Sequence, residues 1–156
     1  MKKFDEDQMY SIVLGKIDKH KIDEFVNKFG TDSVDRDGRT ILSTAVVENN
    51  KNLVKYLISK GFDVNASDSD GLTALHLAAI HNRYKMIEIL LENGAKVNSL
   101  DKWGNTPISR AVYPSQKLEK FNKSARILLA NGGDLSIKNF YGVSMQDLMD
   151  KYSRGN

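Results

Sequence analysis

The side chains of this chain equipped for chemistry are few: His20, His76 and His81, the aspartates Asp68 and Asp70, and serines such as Ser115 and Ser124. A metal site would need histidines and carboxylates gathered at ligand spacing. His76 and His81 stand five residues apart, on different faces of a helix, and no carboxylate pair joins them. Ser115 and Ser124 have no base nearby, and no glycine-rich phosphate loop follows a strand. Asp68 and Asp70 resemble a pair of acid/base carboxylates, yet both fall in a turn that recurs along the chain. His20 lies among lysines and is expected in solvent. No catalytic residue, metal site or cofactor is expected, and the chain is not expected to be an enzyme.

Any functional group here must be positioned by a repeat. Gly38, Gly71, Gly104 and Gly142 follow at steps of 33, 33 and 38 residues, each with an acidic or amide residue upstream and Thr or Ser two residues later. Gly61, Gly94 and Gly132 keep steps of 33 and 38, so both series absorb the same five-residue insertion. Such a period marks a stack of small supersecondary units.

In the second unit, Asp68-Ser69-Asp70-Gly71 reads as a tight turn in which Gly71 takes a positive φ without steric cost. Thr73 stands where an N-cap hydroxyl accepts an orphan amide. The next helix turns Leu75, Ala78 and Ala79 to one face, with alanines small enough for a close neighbour. Asn82 suits a left-handed junction. A second helix carries Met86, Ile87, Ile89, Leu90 and Leu91, and Gly94 stops it. The first unit repeats this register from Asp35 to Asn65. The third repeats it from Asp101, with Pro107 at the first helical position, where its missing N–H costs nothing.

The reading is of a single domain over 1–156, with an N-terminal cap at 7–34, repeats at 35–65, 68–98 and 101–136, and a C-terminal cap at 137–153. The spacing predicts cap helices over 9–14, 22–29 and 145–152. Terminal units of a stack need a polar outer face, so departures from the register are expected there.

Asp68 to Ala78 and Asp101 to Ala111 carry the pattern acidic-x-x-Gly-x-Thr-Pro-Leu-His-x-Ala. In this the chain resembles ankyrin repeats, over roughly residues 35 to 150. Ile41 and Ala74 replace the usual Pro, and Ser43 and Ser109 the usual His. The resemblance implies an all-α solenoid of stacked helix-turn-helix units linked by β-turn hairpin loops. It implies that His76 bonds backbone groups between repeats, and that partners bind at the turn tips and the concave ends of the inner helices.

Transferred by register, the tips are Arg36, Asp37, Arg39, Ser69, Asp70, Leu72, Lys102, Trp103, Asn105, Phe140 and Tyr141. The concave positions are Val47, Glu48, Ile80, His81 and Tyr113. Trp103, Phe140 and Tyr141 are expected to face water, and aromatic and arginine anchors dominate interface energetics. Phe140 has a second reading, packed under the C-terminal cap. The insertion, which the reading places within 113–122, is a second candidate surface, because insertions in repeats map to loops on one face. Neutral drift explains it equally well.

Composition narrows the class further. The chain has 156 residues, 40% of them hydrophobic, and no cysteine, which fits a reducing compartment. Neither a signal peptide nor a membrane-length apolar run is legible, so the expected location is the cytoplasm. Net charge is +3, from 23 Lys and Arg against 20 Asp and Glu. The lysines alternate with acids, whereas phosphate binding needs clustered, unopposed cations, so nucleic acid is not an expected partner. The expected function is non-catalytic protein binding by a chain that is monomeric when free. Frequent Lys, Asn and Ile fit an AT-rich bacterial genome. Resemblance to small bacterial ankyrin proteins implies an immunity protein that occludes a cognate toxin. The alternatives are a host-directed effector and a regulatory or scaffolding subunit of an enzyme.

Overall fold

In the computed structural model, residues 3–4, 6–15, 18–112 and 121–154 are described. Each unit begins at a turn whose first side chain folds back on the backbone. One oxygen of Asp35 accepts the N–H groups of Asp37 and Arg39, both at 2.9 Å. Asp68 holds Asp70 and Leu72 in the same way, Asp101 holds Trp103 and Asn105, and Asn139 holds Tyr141 and Val143. The turn glycine then takes a positive φ, +74° at Gly71.

A threonine two residues later starts the inner helix. Thr40, Thr73 and Thr106 accept the N–H groups of Ser43, His76 and Ser109. Among the described residues the helices are α1 (Glu6–Val13), α2 (Lys19–Phe29), α3 (Ile41–Val47), α4 (Lys51–Ser59), α5 (Ala74–Ile80), α6 (Tyr84–Glu92), α7 (Pro107–Ala111), α8 (Lys123–Ala130) and α9 (Met145–Arg154). Asn49 and Asn82, at φ 60° and 51°, join inner to outer helix in the first two repeats. The inner row α1, α3, α5 and α7 packs in sequence, and α4, α6 and α8 form an outer row against it. This is the all-α solenoid that the resemblance implied.

One apolar core runs through the stack. Leu42, Leu53, Leu57, Leu75, Ile87, Leu90, Ile108 and Leu128 are buried in it, and the alanines Ala45 and Ala78 let the inner helices approach closely. Core close-packing at this level stabilises each unit only through its neighbours. At the N-terminal end Phe4 packs edge-on against Phe25, ring centres 5.1 Å apart, and donates its N–H to the Val34 carbonyl. Both N-terminal helices start earlier than their apolar spacing predicts. For α2 the reason is Asp18, whose carboxylate accepts the N–H groups of His20 and Lys21 and adds a turn before Ile22.

Candidate functional site

The turn tips are joined to one another by main-chain bonds. The second residue of each turn donates its N–H to the third residue of the turn before: Ser69 to Asp37 at 3.0 Å, Lys102 to Asp70 at 2.9 Å, Phe140 to Trp103 at 3.0 Å. Side chains reinforce this ladder. Arg39 reaches Asp68 at 3.4 Å, and Lys102 pairs with Asp70. The tips therefore form one continuous edge along the stack, with side chains projecting from a fixed backbone.

At the third tip the Asp101 carboxylate is buried. It accepts Trp103 and Asn105 N–H groups on one oxygen and the Arg110 guanidinium on the other. Burial pushes its pKa up, while the Asn105 amide, Arg110 and the Trp103 amide pull it down and win, leaving it below the ordinary aspartate value. Arg110 also lies 5.0 Å from the Trp103 ring centre, and Lys102 lies 4.4 Å from it. Trp103, expected to face water, is instead half-buried in this layer of cations. Leu72 and Asn105 are half-buried as well, and Asn105 is committed to the fold: its N–H serves Asp101 and its carbonyl serves His76.

His76 is fully buried. The Thr73 main-chain N–H donates to its Nδ1 at 3.2 Å, which makes Nδ1 the unprotonated nitrogen. Nε2 then carries the hydrogen and donates it to the Asn105 carbonyl in the next repeat, at 3.0 Å. Burial holds its pKa below the ordinary histidine value, so the ring is neutral. This is the inter-repeat bond that the resemblance implied, and it leaves His76 without a free nitrogen for catalysis.

The remaining predicted positions project outward. Phe140 is 69% exposed and Tyr141 75%, so Phe140 does not pack beneath the C-terminal cap. Ile80 is 45% exposed at the end of α5, and exposed His81 caps that helix. Arg36 and Glu48 are exposed, Arg39 and Asp70 partly so. Met9, Tyr10, Arg36, Arg39, Val47 and Glu48 help line a shallow recess where α1 meets the first tip and α3. Tyr113 and the insertion segment Ser115–Lys120 lie outside the described residues. Among those described, no three His, Cys, Asp or Glu side chains gather as a metal-binding group, and no helix is long and apolar enough to cross a membrane.

Sequence reasoning passed over two further features. Asn65 bonds the Gly94 carbonyl and the Lys96 N–H, and Asn98 bonds the Gly132 carbonyl and the Asp134 N–H, so each clamps the following repeat. The signal was present as Val-Asn at the same register in both units. The Trp103–Arg110 layer had no such signal, because the register of Arg110 is Leu77 in the second repeat and Thr44 in the first.

Comparison with known proteins agrees with this geometry. A family model described as ankyrin repeats (3 copies) matches residues 10–101, more than half of the chain, from within α1 to the third tip. No curated protein matches the chain. Residues 102–136 lie beyond the matched span, yet α7 and α8 within them continue both helix rows. With the matched family, the two helix rows and the shared turn chemistry in agreement, the chain belongs to the ankyrin-repeat family.

Proposed function

We propose that this protein acts by binding another protein along its turn tips and the ends of its inner helices, without catalysing a reaction. Ankyrin repeats generally mediate protein–protein interaction. The observation that carries the reading is how side chains divide between fold and surface. His76, Asp68 and Asp101 are consumed in turns, caps and inter-repeat bonds. The side chains of Phe140, Tyr141, Ile80 and His81 stand exposed on the same framework, which the main chain of these residues helps to bond. Exposed aromatic side chains on a fixed backbone bury large area at little entropic cost.

Within that reading the specific form proposed is immunity: the stack covers the active surface of a cognate toxin and blocks substrate entry. Its support is the family and the stack architecture alone. An effector directed at a host protein, or a regulatory subunit, would use the same surface.

The test is affinity capture from native lysate with the wild-type chain beside an Ile80→Asp/Tyr141→Ala variant. Both positions lie outside the core, so the variant stays folded. One stoichiometric protein captured by wild type and lost by the variant supports the reading, and its identity separates toxin from host target or enzyme. Equal capture by both would place the interaction elsewhere.

A further inference from the structure

Each of the first three inner helices after a tip carries a residue at the third helical position that can serve its cap: Ser43, His76 and Ser109. The two serines stay within their own units. Thr40 donates its hydroxyl to Ser43 Oγ, and Ser109 donates its own to the Thr106 carbonyl. His76 alone of the three reaches forward, to the Asn105 carbonyl. Its Nδ1 is occupied from the other side by two donors of Thr73, the main-chain N–H at 3.2 Å and the hydroxyl at 2.9 Å.

A proton added at Nδ1 would meet that main-chain N–H head on, inside a site closed to water. Charged groups of the described residues act on the ring from both neighbouring tips and from α7. Asp68 of the second tip and Asp101 of the third favour an imidazolium, and Arg110 of α7 opposes it. Both aspartates are already paired, with Arg39 and Arg110. Helix α3 has no titratable side chain, and α5 has none besides His76. On α6, Lys85, Glu88 and Glu92 are exposed, and Tyr84 lies beside Lys123.

We propose that the junction between the second and third repeats is a proton-sensitive joint, which mild acid loosens through His76 while the junction between the first and second repeats holds. In a stack each unit contacts only its neighbours, so loosening one joint frees everything beyond it. Here that includes the tips bearing Trp103, Phe140 and Tyr141. Acid thus uncouples the aromatic end of the binding edge from the rest.

The sign follows from the ring being neutral in the fold. Above about pH 6.5 both folded and opened states hold neutral His76 and pH has no effect through it. Below that value only the opened state takes up the proton, so opening grows by up to about tenfold per pH unit until the folded-state value is reached.

Amide hydrogen exchange of the intact chain, read by mass spectrometry at pH 7.5 and 5.5 and scaled for intrinsic rates, tests this. Protection over residues 101–112 should fall up to about tenfold relative to residues 35–65. His76→Ser, which copies the first and third repeats, should abolish that pH-dependent difference, and His76→Gln serves if the serine variant folds poorly. An equal fall in both segments of the wild type would overturn the proposal. So would a selective fall that persists in a folded variant.

Discussion

Gly71 and Gly94 allow the same substitution to ask two different questions. Both have a positive φ, +74° and +85°, so alanine at either position carries the left-handed penalty, about 1–2 kcal/mol. They differ in surroundings. A Cβ on Gly71 would lie 2.7 Å from the Lys102 nitrogen and 3.1 and 3.2 Å from Asp101 backbone carbons, whereas one on Gly94 meets nothing within 4 Å. The crowded atoms are main chain and belong to the ladder bond from Lys102 to Asp70. Relief requires shifting the third tip, at about 1–3 kcal/mol of overpacking strain. Gly71→Ala should therefore cost about 2–5 kcal/mol and Gly94→Ala about 1–2 kcal/mol. Urea unfolding followed by helical circular dichroism measures both, and a gap of about 2 kcal/mol corresponds to roughly 4–8 °C in Tm. Gly38 and Gly104, with next-tip main-chain nitrogens at 2.8 and 2.7 Å, should follow Gly71, and Gly142, with open space, should follow Gly94. Equal losses at Gly71 and Gly94 would refute the claim that close tip stacking demands glycine.

Asn98→Ala removes both side-chain bonds to the next repeat and should cost about 1–2 kcal/mol in the same unfolding assay. Ser136→Ala, which removes a hydroxyl bond to Asp134 within the same unit, should cost less. Asp101→Asn leaves the Arg110 guanidinium without its carboxylate, and because that guanidinium is partly exposed the loss should be about 1–3 kcal/mol. The same change should shift the emission of Trp103, the chain's single tryptophan, as Arg110 leaves its ring. Asp101 titrates below the ordinary aspartate value when folded, so its stabilisation is present above about pH 4 and is lost as pH falls through the folded value. Acid titration of Asp101→Asn should lack that step.

The register was legible because each of its residues answers a backbone demand. Gly71 takes a positive φ, Thr73 caps, Asn82 is left-handed and Pro107 opens a helix, all as read from residue type. Tip exposure was less legible, because it depends on which side chains meet across repeats. Phe140 and Tyr141 do face water. Trp103 does not fully do so, since Arg110, drawn to Asp101 nine residues earlier, lies against its ring. No local pattern marks that contact: it arises from one arginine replacing the threonine and leucine of the earlier units. The partner-binding roles proposed for Arg36 at a tip and Glu48 at a concave position depend on the chemistry of another protein, which no pattern in this chain carries.

The most direct test of the central claim is site-specific photo-crosslinking to the captured partner. Probes replace Ile80 and Tyr141 on the inner and tip positions, and exposed Lys55 and Glu88 on outer helices α4 and α6. Crosslinks from Ile80 and Tyr141, with none from Lys55 and Glu88, are the predicted result. Crosslinks confined to the outer helices would contradict the account.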